Sequence, residues 1–111
     1  MTISDEDAKL VTLARGARLR AYAPHTGVGA GAAVRDVDGR TYAAATVENA
    51  DPSLTTSALR AAVVAAAASG ARAFEAAVVV SETATTAEDL AVLREFGDVP
   101  LLVAGPDGVV R

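Results

Sequence analysis

The stretch AYAPHTGVGAGAAVRDVDGRTYAAATVENA, residues 21–50, decides the fold of this chain. Pro24 and Gly27 interrupt its opening, so Tyr22–Gly27 reads as a loop. Two runs that suit strands, Ala30–Val37 and Arg40–Val47, flank Asp38-Gly39. An Asp-Gly pair in that position accepts the positive φ of a tight hairpin turn, so the two runs are expected to pair antiparallel.

Upstream, Ser4-Asp-Glu-Asp7 offers an N-cap followed by acids, and Leu10, Leu13, Ala14 and Ala17 recur at helical spacing. A first helix is expected from Asp5 to Ala21. Arg15, Arg18 and Arg20 near its end match the helix dipole. They could instead gather a phosphate, and the dipole-matched helix end is the simpler reading. Downstream, a second helix is expected to begin near Ser53–Ser57 and to stop at Gly70. Its middle is alanine-rich and apolar nearly all round, which predicts burial on more than one side. Phe74–Ser81 carries three consecutive valines and reads as a buried central strand. Thr86–Phe96 reads as a third helix capped by Thr85 or Thr86, Pro100–Gly105 as a last strand, and Pro106-Asp-Gly108 as a turn out of it. The order αββαβαβ predicts one α/β domain over residues 1–111, a mixed sheet layered α/β/α.

Composition narrows the function. The 111 residues carry a net charge of −4, which disfavours nucleic acid and anionic membranes as partners. There is no cysteine, so disulfides, thiolate metal sites and thiol catalysis are excluded together. No run reaches membrane-spanning length and no leader pattern opens the chain, so the expected location is cytoplasmic.

Ala21-Tyr-Ala-Pro-His-Thr26, Gly31-Ala-Ala33, Asp38-Gly39, Tyr42 and Val47-Glu-Asn-Ala50 together resemble the opening half of small homotetrameric cytidine deaminases. There a tyrosine-proline loop, a G-A-A strand, a D-G hairpin and an N-I-E-N-A segment follow in the same order and spacing. A looser likeness continues through Arg94-Glu-Phe-Gly97 to Pro106-Asp-Gly108. The resemblance implies a cytidine deaminase-like fold and a homo-oligomer, either dimer or tetramer. It also implies a zinc site, built from a C-A-E turn on the second helix and a P-C-x-x-C turn on the third, where zinc activates water and the glutamate moves protons.

This sequence departs from that pattern at each chemical position. Ser57-Ala58-Leu59 stands in the first turn, and Thr86 and Asp89 fall on the two cysteines of the second. Hydroxyls are poor zinc ligands near neutral pH, and leucine carries no proton. We therefore expect no metal, no cofactor and no zinc-dependent deamination. Ser57 would need a neighbouring base for nucleophilic work; the sequence offers none, and N-cap duty is expected. His25 is expected to be an ordinary loop residue. Glu82, Glu88 and Asp89 could gather a hard cation, although helix N-terminal placement explains the last two.

Part of a ribose clamp survives by resemblance. Glu48 keeps the family's glutamate position, Thr46 replaces the asparagine, and Val28 lies near the family's pocket phenylalanine. These residues could hold a nucleoside-like ligand, or Glu48 and Asn49 could simply secure the turn between strand and helix. Family members also carry further structure after the last strand, which helps to complete a neighbouring subunit's site, so a full pocket between subunits is not expected. The leading expectation is a catalytically silent protein acting by self- or protein association. The alternatives are a nucleoside-binding pseudoenzyme and a working cytidine deaminase.

Overall fold

A computed structural model describes residues 3–111. Helix α1 spans Asp5–Arg18, strands β1 and β2 span Gly31–Asp36 and Thr41–Ala45, and helix α2 spans Ala58–Ala68. Strand β3 follows at Phe74–Val80, helix α3 at Ala87–Arg94 and strand β4 at Leu101–Ala104. The sheet order is β2-β1-β3-β4, with β1 antiparallel to both β2 and β3, and β3 parallel to β4. The mixed sheet and the order αββαβαβ therefore agree with the sequence reading.

Strand alternation divides the core into two faces. Ala33, Ala76, Val78 and Val80 point toward α1, where they meet Leu10, Val11 and Ala14. Ala32, Val34, Ala77 and Val79 point the other way and pack with α2 residues Leu59, Ala62, Val63 and Ala66, and with Leu93 of α3. This is the α/β/α layering. Small side chains bring α1 very close to the sheet: a Cβ placed on Gly31 would lie 2.0 Å from the Ala14 carbonyl oxygen. Arg35 ties the same helix down, reaching Asp7 at 3.0 Å and Glu75 at 3.4 Å.

The hairpin has an anchor that composition does not announce. Buried Asp36 accepts hydrogen bonds from the amides of Asp38 (3.0 Å) and Arg40 (2.9 Å), and Gly39 takes the positive φ of 86°. An aspartate that closes a turn onto its own backbone fixes the strand register locally.

Two expectations need correction, the end of α1 and the burial of α2. Helix α1 stops at Arg18 rather than Ala21, because Tyr22 must extend to exchange backbone hydrogen bonds with Thr46 and Glu48. The start of α2 falls within the expected Ser53–Ser57 window, with Ser57 as its N-cap and a 3-10 turn at Pro52–Leu54 before it. The expected turn at Pro106–Gly108 forms, and beyond it Val110 pairs antiparallel with Ala104. Finally, α2 is not buried all round. Its sheet-facing residues are covered, while Val64 is 56% exposed and Ala65 and Ala68 are also bare. One chain offers α2 only one sheet to pack against.

Candidate functional site

The first turns of α2 and α3 meet at one cleft of about 480 Å³. Ser57 caps α2 by accepting from the Arg60 amide at 3.2 Å. Thr86 caps α3 by accepting from the Asp89 amide at 3.1 Å. These local bonds explain why serine and threonine start the helices. The fold then adds a bond between them: the Ser57 hydroxyl donates to the Asp89 carboxylate at 2.5 Å, part-buried. The cleft wall is completed by Thr46, Ser81, Thr83 and Thr85, with Leu59, Val79 and Val92 providing apolar surface.

Three of the four positions singled out by resemblance to a metal centre, Ser57, Thr86 and Asp89, thus gather at one place. Their donor set is two hydroxyls and one carboxylate, with both hydroxyls already committed to helix capping and one also to Asp89. That set does not fit zinc, which takes thiolate, imidazole or carboxylate ligands. The fourth position, Leu59, is 1% exposed and belongs to the core cluster beneath α2.

The ribose-clamp positions behave differently from each other. Thr46 lines the cleft, where its hydroxyl accepts from the Ala30 amide at 3.0 Å. Glu48 lies behind it. Its carboxylate accepts from the amides of His25 (2.8 Å) and Thr26 (3.2 Å), and from the Thr26 hydroxyl. The Thr26 hydroxyl is the main reason the Glu48 carboxyl is held below its ordinary 4.5; burial opposes the shift, while the two amides and nearby His25 add to it.

The sign of the pH effect follows. A depressed carboxyl stabilises the fold above its unfolded value, and that contribution disappears as pH falls through the lower folded value. Glu48→Gln should therefore flatten the acid limb of the stability curve below about pH 4.5 and speed amide exchange at His25 and Thr26. Thermal melts across pH and hydrogen exchange check both; an unchanged acid limb contradicts the assignment.

Other candidates disperse. Arg15 donates to the Pro106 carbonyl at 2.9 Å, while Arg18 pairs with Glu82 at 2.8 Å, so these arginines do not assemble an anion site. Glu82 is thereby separated in role from Glu88 and Asp89, which occupy the first turn of α3. His25 is an exposed loop residue whose amide, rather than its ring, serves Glu48. Val28 does line the cleft. What the sequence reading missed is the partner of Ser57. The signal was present, since the resemblance put Ser57 and Asp89 on ligands of one metal and hence within bonding range of each other.

Among the described residues no helix is long and apolar enough to cross a membrane. Residues 3–108 match the family model described as cytidine deaminase-like. The cytidine deaminase of Burkholderia pseudomallei is 32% identical with a TM-score of 0.88, over 98% of this chain and 91% of that one. The Mycobacterium tuberculosis enzyme is 29% identical with a TM-score of 0.81, over 98% and 90%. The Mycobacterium leprae enzyme is 26% identical with a TM-score of 0.80, over 98% and 93%. No curated protein gives a significant match. With a family model spanning almost the whole chain and a sheet that superposes on those enzymes, this chain belongs to the cytidine deaminase-like family.

Proposed function

We propose that this protein is a deaminase-fold member that does not carry out zinc-dependent deamination and acts by associating with further copies of itself, as a dimer or tetramer in the cytoplasm. The observation that carries the proposal is helix α2. Its first turn presents Ser57 and Leu59 where the resemblance calls for a thiolate and a proton-moving glutamate. Its outward side presents Val64 with Ala65 and Ala68, beside an apolar groove of about 440 Å³ shared with Val92 and Phe96 of the α3 region. Losing a general acid/base alone costs 10²–10⁴-fold in rate, and losing the metal-activated water removes the nucleophile as well.

Light scattering at micromolar concentration should find more than one copy per particle, and Val64→Arg should shift the protein toward monomer. A monomeric parent overturns the association. Ammonia release from cytidine that survives chelation and repeated purification overturns the loss of deamination.

A second reading has the cleft in its favour, because 480 Å³ lies within the range of small-molecule sites. On that reading a nucleoside-like ligand binds near Thr46, with Glu48 holding the loop at its rim. A saturable thermal shift with one nucleoside class, lost in Thr46→Val, would favour this second reading.

A further inference from the structure

The Ser57–Asp89 pair has the composition of an activated nucleophile. At 2.5 Å the carboxylate is placed to take the hydroxyl proton, and the pair is part-buried in the wall of an open cleft. A serine hydroxyl is a weak nucleophile until a base stands within hydrogen-bond reach. Asp89 supplies that base, from another helix 32 positions along the chain.

Two further features surround the pair. The amides of Ala58 and Leu59 lie in the first turn of α2, where N–H groups have no acceptor within the helix, and both residues line the cleft. Ala58 directly follows the serine, the placement used for an oxyanion donor in nucleophile-elbow hydrolases. The Thr85 hydroxyl also belongs to the cleft lining and is shielded from solvent with no hydrogen-bond partner among the described residues. A buried hydroxyl left unpartnered costs free energy that a bound polar group would recover.

We propose that Ser57 is an acyl-accepting nucleophile, with Asp89 as its base, and that the cleft hydrolyses small carboxylic esters with good leaving groups. The Ser57 Oγ attacks the ester carbonyl as its proton passes to the Asp89 carboxylate. The carbonyl oxygen becomes negative and is met by the Ala58 and Leu59 amides. The bond to the alcohol oxygen breaks, and the Asp89 proton leaves with the alcohol. Water then attacks the Ser57 ester, giving its proton to Asp89; the acid departs and the serine recovers its proton. A carboxylate is a weaker base than imidazole, so activated esters are favoured over amides. The apolar surface from Leu59, Val79 and Val92 suits a short acyl chain. This activity needs neither zinc nor the association through α2, so it stands or falls separately from the proposed function.

The test is reaction of the intact protein with p-nitrophenyl acetate and butyrate, and separately with a fluorophosphonate. A burst of p-nitrophenolate near one per chain is expected, with the acyl or phosphonyl group mapped by peptide mass spectrometry to Ser57. Asp89→Asn can keep the contact to Ser57 without the base, and should slow acylation by about 10²–10⁴-fold at an unchanged melting profile. Ser57→Ala should abolish the label. Label found on Lys9, His25 or a tyrosine, no label at all, or full acylation rate in a folded Asp89→Asn protein overturns the proposal.

Discussion

Gly31→Ala should cost at least about 3 kcal/mol, the upper end of the usual overpacking range. The added Cβ would lie 2.0 Å from the Ala14 carbonyl oxygen and 2.5 Å from the Arg18 amide nitrogen. Both are backbone atoms of α1, so no side-chain rotation relieves the clash. The helix must lift from the sheet, which opens its contacts with Ala33, Val78 and Val80. For a domain of this size, the loss corresponds to a fall in melting temperature of roughly 12 °C or more. Gly16→Ala is the matched control. Nothing lies within 4 Å of a Cβ there, so it should stabilise by up to about 1 kcal/mol through helix propensity. Opposite signs at a strand glycine facing α1 and a glycine within α1 test the close packing itself; equal effects would mean that α1 sits farther from β1.

The second large effect is at Leu59, buried at 1% exposure between the sheet and α2. Leu59→Ala should cost about 2–5 kcal/mol. The lower half of that range is expected, because the residue also borders a cleft that water can enter. Leu59→Glu restores the family's acid in name but places a carboxylate against Val63, Val79 and Leu93. Burying it without a paired cation costs more than the deletion unless the group takes up a proton or draws in water. We expect a larger melting loss than for alanine and no ammonia release from cytidine. A stable, deaminating Leu59→Glu protein would show that only one residue separates this chain from the enzyme, contrary to the proposed function.

Both predictions concern positions that the sequence describes unequally. The expectation for Leu59 rested on its lack of a proton, and its place in the core came from the fold. Gly31 was legible only as the start of a G-A-A strand. Its close approach to α1 depends on where a helix 17 residues earlier comes to rest against the sheet. Local patterns carry no information about that separation.

The sequence by itself determined the element order, the Asp38-Gly39 hairpin, the caps at Ser4 and Ser57, a threonine cap on α3 that the structure assigns to Thr86, and the family. These follow from short-range chemistry: glycine at a positive φ, hydroxyls on free helix amides, and apolar periodicity matched to strands or helices. Tertiary structure decided the rest. It joined Ser57 to Asp89, committed Glu48 to the amides of His25 and Thr26, sent Arg15 and Arg18 to separate partners, and left one side of α2 bare. Each of those outcomes depends on groups from distant parts of the chain meeting at one point, or on no partner arriving. A hydrogen bond is decided within about 3 Å, and only the packed layers bring residues 57 and 89 that close.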